Sequence, residues 1–143
     1  MRVIPLLKRE LPTPSVQRFR AVVADDHAEM RAEICTLLGT NIQVVASVGD
    51  GISTIEAVEK LDPDLLILDI TMPGMNGIEV ARELAVRGCR AKVVFVTLDD
   101  SRDIMAAALA AGAAGYVIKS QLQFKLKETV RRVLQDGLAH RPL

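Results

Sequence analysis

The chain has two cysteines, no excess of charge of either sign and no apolar run long enough to span a membrane. Each absence narrows the reading. Cys35 falls inside a helical pattern and Cys89 in a loop, with no CxxC and no histidine beside them, which fits reduced thiols in a cytosolic protein rather than a disulfide framework. A formal net charge of zero points to neither nucleic acid nor an anionic membrane as partner. The start, Met1-Arg-Val-Ile-Pro-Leu-Leu-Lys-Arg-Glu10, lacks the continuous apolar core of a secretory signal, so the cytoplasm is the expected location. Internal repeats and low-complexity tracts are also absent.

What is present is a soluble, globular balance in 143 residues, half of them hydrophobic and a quarter charged, enough for one domain with one core. The neutral total conceals an asymmetry. Arg2, Lys8, Arg9, Arg18 and Arg20 against Glu10 make the first 20 residues +4 and the remainder −4. Residues 1–18 contain Pro5, Pro12 and Pro14 without periodicity and read as an extended basic arm. Residues 19–137 read as the domain, and 138–143 as a C-terminal tail.

From Phe19 the chain alternates. Phe19–Ala24 is a strand; His27 to about Gly39 is a helix with Met30, Ile34, Leu37 and Leu38 on one face. Asn41–Ser47 is a second strand, and Ile52–Leu61 a helix with Ile55, Val58 and Ile52 inward, stopped by Asp62-Pro63. Leu65–Leu68, four aliphatic residues in a row, reads as a strand buried on both faces. A helix over Asn76–Arg87 follows, burying Ile78, Ala81, Leu84 and Ala85, then a strand Lys92–Thr97 and an alanine-rich helix Arg102–Ala111 capped by Gly112. Ala114–Ile118 is the fifth strand, and Gln121–Gln135 the last helix with Leu126, Val130, Val133 and Leu134 as its stripe. Such alternation predicts a doubly wound parallel sheet covered on both faces through right-handed crossovers.

The chemistry-bearing residues fall at the strand ends. Asp25 and Asp26 follow the first strand, Asp69 the third, Thr97 closes the fourth and Lys119 follows the fifth. In a parallel sheet all of these share the carboxyl edge, where open α/β sheets place their sites; for the order 2-1-3-4-5 the crevice opens between strands one and three. Asp26 and Asp69 would face one another across it. Carboxylates about 4 Å apart repel by roughly 4 kcal/mol at an effective dielectric near 20. Three carboxylates and one ammonium leave a charge of −2, which a divalent cation neutralises. An all-oxygen site with few protein ligands suits Mg²⁺. Asp69 is then placed as a nucleophile toward phosphorus, with Lys119 and the Thr97 hydroxyl available to phosphoryl oxygens. Singly, each has a plainer reading: Asp69 as a turn residue, Asp25-Asp26 as helix caps, Lys119 as a surface lysine, Tyr116 as a core or rim aromatic.

The segments Val-Val-Ala-Asp25-Asp26-His, Leu-Ile-Leu-Asp69-Ile-Thr-Met-Pro73-Gly-Met-Asn-Gly77, Val-Phe-Val-Thr97 and Gly-Tyr116-Val-Ile-Lys119 resemble the receiver domain of bacterial two-component response regulators. The Asp-Asp-His start and the serine after Lys119 are most similar to receivers of the LuxR/FixJ-type subfamily. The resemblance covers about residues 19–135 and implies a flavodoxin-like (βα)5 fold with strand order 2-1-3-4-5. It implies a phosphorylation-dependent signalling switch rather than an enzyme, one that catalyses only its own phosphorylation and dephosphorylation. Asp69 would accept a phosphoryl group from a sensor histidine kinase or phosphotransfer protein. Asp26, Asp69 and the backbone carbonyl of Thr71 would ligate Mg²⁺, with Asp25 helping through water. Thr97 and Tyr116 would be the switch pair.

Two departures matter. Position 98, small in most of the family, is Leu98, and Asp99 adds a further carboxylate beside the site. The helix-turn-helix output domain of the subfamily is not found in these residues, so DNA binding is not expected of this chain. Opposite charges on the first helix (Glu29, Glu33) and the fifth (Lys125, Lys127, Arg131, Arg132) favour a homodimer through those helices; the face of the fourth helix, fifth strand and fifth helix is the other candidate. Three rival readings compete. A haloacid-dehalogenase-like phosphatase would need a second aspartate where Thr71 stands. A nucleotide-binding fold would need GxGxxG or GxxxxGK[ST], and neither occurs. A pseudo-receiver, binding partners without phosphorylation, is kept open by Leu98.

Overall fold

The computed structural model describes residues 18–139. The expected basic arm and most of the C-terminal tail lie outside the described residues. Five strands, β1 Phe19–Ala24, β2 Ile42–Val48, β3 Leu65–Leu68, β4 Lys92–Thr97 and β5 Gly115–Ile118, form one parallel sheet in the order β2-β1-β3-β4-β5. The helices α1 Ala28–Leu38, α2 Gly51–Leu61, α3 Gly77–Val86, α4 Arg102–Ala110 and α5 Leu122–Ala139 alternate with them. This is the flavodoxin-like order expected from the sequence.

Strand residues alternate between two apolar layers because successive side chains point to opposite faces. Val22, Ala24, Leu66, Leu68, Val93 and Phe95 pack with Ile55 and Val58 of α2, Ile78, Ala81 and Leu84 of α3, and Ala108 of α4. Ala21, Val23, Leu65, Ile67, Val94, Val96 and Val117 face the other way, against Ile34 and Leu38 of α1 and the α5 stripe Leu122, Leu126, Val130, Val133 and Leu134. All four residues of β3 are buried, as its aliphatic run predicts.

Several helix details differ from the sequence reading. Ile52 is 62% exposed; Thr54 takes the inward position and its hydroxyl donates to the Asp50 carbonyl at 2.7 Å. The reason is the start of α2: Gly51 is its first residue and Asp50 its cap, which rotates Ile52 outward. In α3, Ala85 is exposed and Val80 buried, because a capping box between Asn76 and Glu79 sets the helix phase. Met30 and Leu37 are only partly buried, so the core stripe of α1 reduces to Ile34 and Leu38. The last residue to cap α4 is Ala111, with Gly112 following at φ 100°. Between β5 and α5 a single 3-10 turn, Lys119–Gln121, intervenes.

Candidate functional site

Short strands carry the polar residues to one edge. β1 ends at Ala24, and the chain continues into Asp25, whose amide donates to the Val48 carbonyl of β2 at 3.1 Å. β3 ends at Leu68, and the Asp69 amide donates to the Ala24 carbonyl at 2.9 Å. These two bonds extend the parallel ladder by one residue and set Asp25 and Asp69 side by side. Gly77 closes the loop after Asp69: its amide donates to the Ile70 carbonyl at 2.7 Å. A Cβ at that position would collide with the Asp69 carbonyl oxygen and lie 2.9 Å from its carbon, so only glycine lets α3 start this close to β3.

Lys119 joins the carboxylates. Its Nζ lies 2.8 Å from Asp25 Oδ2 and 3.2 Å from Asp69 Oδ2, with all three side chains at least nine-tenths buried. Asp25 Oδ1 accepts from the His27 amide at 2.8 Å, and Asp69 Oδ1 from the Thr71 amide at 3.3 Å. One Asp69 oxygen thus bonds back to its own loop at Thr71, while the other points at the lysine. Burial pushes the Asp69 carboxyl above its ordinary value; the Lys119 charge pulls it back, and Asp25 pushes it up again. Burial pulls the Lys119 ammonium down, but its close contact with Asp25 and the charge of Asp69 more than offset it and hold it above the ordinary lysine value.

Asp26, His27, Asp69, Thr71, Thr97, Leu98, Asp99 and Lys119 line one open crevice of about 370 Å³ at the carboxyl edge. The sequence-predicted residues are thus brought together, with a change of rank. Asp26 stands at the rim, 28% exposed, where it pairs with the His27 ring at 3.1 Å. Asp25, expected in a supporting role, is the innermost carboxylate and makes the direct contact with Lys119. Capping of α1 falls to His27, without a side-chain bond. Thr97 is buried, and its Oγ1 accepts from the Asp99 amide at 3.3 Å. Tyr116 is half-buried on β5, its ring 6.4 Å from that of Phe95, and its hydroxyl donates to the Asp99 carbonyl at 2.7 Å. Leu98 is 78% exposed at the mouth.

One cluster of acidic and imidazole groups at the crevice could hold a small divalent cation. Ligand atoms of Asp25, Asp26 and His27 lie within 4.8 Å of one another. Asp25 Oδ2 is buried and accepts no well-aligned hydrogen bond among the described residues, so only the nearby ammonium compensates its charge. Reading the sequence missed Arg31, whose guanidinium grips the Asp25 carbonyl at 2.7 Å. The one available signal was its place a turn into the helix that follows the acid pair.

A model of the response regulator receiver domain matches residues 21–131, and the chain belongs to that family of two-component signalling receivers. LuxR-family response regulators are among the solved structures it resembles. It is 34% identical over 122 residues to the transcriptional regulatory protein DegU of Brevibacillus brevis, covering 84% of this chain and 52% of DegU. It is also 34% identical over 120 residues to the nitrate/nitrite response regulator NarP of Escherichia coli, covering 82% of this chain and 56% of NarP. The chain thus spans about half the length of the curated relatives it matches. Among solved structures it is similar to the signal receiver domain of NarL from Mycobacterium tuberculosis, with TM-score 0.78 at 29% identity over 87% of this chain and 99% of that one. It is similar, too, to a LuxR-family response regulator from Aurantimonas sp. SI85-9A1, with TM-score 0.80 at 27% identity over 84% and 87% of the two chains. No helix among the described residues is long and apolar enough to cross a membrane.

Proposed function

We propose that this receiver, over residues 19–137, is a phosphorylation-dependent switch that accepts a phosphoryl group on Asp69 from a sensor histidine kinase or phosphotransfer protein. The observation that carries the reading is the Lys119 ammonium held against both Asp25 and Asp69 at the floor of an open crevice. An Asp69 oxygen forms the new bond to phosphorus, and the donor leaves with the electrons of the bond that breaks. Lys119 then exchanges its contact with Asp69 for one with a phosphoryl oxygen, as a point charge. The Thr97 hydroxyl, now only an acceptor from the Asp99 amide, still has its own proton to donate to another oxygen.

Asp26, Asp69 and the Thr71 carbonyl would hold Mg²⁺, with Asp25 behind them through water. When bound, the ion neutralises charge on the phosphoryl oxygens. The added charge of about −1.5 to −2 biases two arrangements of the loop after β4, and Thr97 and Tyr116 transmit the choice to the face formed by α4, β5 and α5. The sparse packing of α4, with Ala108 its one buried residue, supports easy rearrangement there. Exposed Glu29 and Glu33 on α1 and Lys125, Lys127, Arg131 and Arg132 on α5 support a homodimer through those helices. The setting is the bacterial cytoplasm.

The test is incubation with acetyl phosphate, or with beryllofluoride as analogue, with and without Mg²⁺. A mass gain of one phosphoryl group that needs Mg²⁺ and disappears in Asp69→Ala supports the switch. No modification under any condition would instead support a pseudo-receiver that binds partners without phosphorylation.

A further inference from the structure

Among the described residues, Arg31 is the one cation in contact with the acid-bearing loop that the phosphorylation chemistry leaves without a role. It lies on α1, its amide donating to the His27 carbonyl at 3.1 Å. Its guanidinium reaches back over the sheet edge. One terminal nitrogen donates to the Asp25 carbonyl at 2.7 Å, and Nε donates to the Ser47 hydroxyl of β2 at 2.9 Å. A guanidinium is a rigid planar fork, so two such bonds fix their acceptors relative to one another. Gly49 leaves room for it: a Cβ there would lie 3.3 Å from the guanidinium and 3.9 Å from the Asp25 carbonyl oxygen.

The carbonyl that Arg31 holds belongs to the peptide joining Asp25 to Asp26. Because that unit is planar, holding its oxygen orients the amide of Asp26 as well. Asp25 needs little such help. Its amide is bonded to Val48, one carboxylate oxygen to the His27 amide, and the other lies against Lys119. Among the described residues Asp26 has no comparable anchor; its carboxylate pairs with the ring of His27, which is 72% exposed. The aim of Asp26 into the crevice therefore depends on the peptide that precedes it.

We propose that Arg31 is a positioning residue for the cation site: it locks the Asp25–Asp26 peptide to β2 and so presents Asp26 to the metal. The proposal rests on the reading of Asp26 as a Mg²⁺ ligand. Its sign separates it from plain electrostatics. Removing a cation next to a cation site should tighten metal binding by charge alone, whereas loss of an orienting contact should weaken it. Partners that orient metal ligands are worth about tenfold to a hundredfold in affinity.

The experiment uses the full unphosphorylated chain. Mn²⁺ binding is followed by electron paramagnetic resonance of the free ion and Mg²⁺ binding by calorimetry, for the wild type, Arg31→Gln, Arg31→Lys and Ser47→Ala. We expect both ions to bind about tenfold or more weakly in Arg31→Gln. Arg31→Lys, which keeps the charge and loses the fork, should weaken them in the same direction, and Ser47→Ala less. In the metal-free protein the carbonyl-carbon resonance of Asp25 and the amide-nitrogen resonance of Asp26 should move in Arg31→Gln, while the amides of Leu65–Leu68 stay. Binding equal to or tighter than the wild type in Arg31→Gln overturns the proposal, and so does an unmoved Asp26 resonance. If Arg31→Gln does not fold, Ser47→Ala and Arg31→Lys decide by the same criteria. A wild type that takes up neither ion sinks the Mg²⁺ reading itself; the metal-free resonances then decide whether Arg31 orients the peptide.

Discussion

The Tyr116 hydroxyl donates a 2.7 Å hydrogen bond to the main-chain carbonyl of Asp99. The same residue's amide is held by Thr97 Oγ1 at 3.3 Å, so one residue links the hydroxyl on β4 to the aromatic on β5. The Asp99 carboxylate in turn accepts from the Ser101 amide at 2.8 Å, and the Ser101 hydroxyl caps α4 through the Ile104 amide at 3.3 Å. Thr97, Tyr116 and the start of α4 are thereby tied through one short loop.

Tyr116→Phe removes the aromatic end of that link and keeps the ring. Since the bond is solvent-accessible, we expect a stability loss of about 0.5–1 kcal/mol in urea titration. Hydrogen exchange should quicken at residues 98–104 and stay unchanged in β1 and β3. Equal exchange in both proteins would show that the hydroxyl does not hold the loop.

Gly77→Ala tests how closely α3 is pressed on Asp69, the proposed phosphoryl acceptor. The added methyl would meet the Asp69 carbonyl and the Ile70 Cα, which lies 2.9 Å from its position. Both are backbone atoms and cannot step aside as a flexible side chain would. We expect a loss of roughly 1–3 kcal/mol or more in urea titration, with Asp69 phosphorylation impaired in the fraction that remains folded. A variant of wild-type stability would contradict this packing.

In the metal-free protein, Asp69 should make stability fall with rising pH. Its folded-state pKa is raised, chiefly by burial, so its favourable contribution is fully present below the unfolded value, near 3.9 for a free aspartate, and is lost as pH rises through the folded value. Asp69→Asn abolishes that loss. Measured in EDTA, the stability of Asp69→Asn relative to wild type should therefore increase from pH 3 toward neutrality. A relative stability that decreases over this window would mean that Lys119 outweighs burial. Lys119 itself, raised above its ordinary value, contributes stability up to the ordinary lysine range and loses it only as pH climbs through its folded value.

Leu98 lines the crevice and is 78% exposed. Leu98→Ala opens the mouth without emptying a core position, so stability should change by no more than about 0.5 kcal/mol. Loss of phosphoryl label from Asp69 should quicken by about twofold to tenfold, at most about 1.4 kcal/mol of barrier. Unchanged decay would clear Leu98 of any role in admitting water.

How far the sequence reached depended on where the information lay. Period-2 and period-3.6 patterns, together with Asp62-Pro63 and Gly39, place all five strands and helices to within a few residues, because burial of one face is a local property of the chain. The errors were of phase rather than kind. Ile52 and Ala85 point outward because caps at Asp50 and Asn76 fix the rotation of their helices, and hydrophobicity alone does not register a cap.

The candidate site divides in the same way. By itself the sequence determined which residues share the carboxyl edge: Asp25, Asp26, Asp69, Thr97 and Lys119 each follow or close a strand, and parallel strands end together. Only the tertiary structure decided how they rank. It put Asp25 deepest and against Lys119, moved Asp26 to the rim, and brought Arg31 onto both the Asp25 carbonyl and the Ser47 hydroxyl and Tyr116 onto Asp99. These contacts join residues from different elements, and their geometry depends on register, helix rotation and side-chain rotamer, none of which a linear pattern encodes.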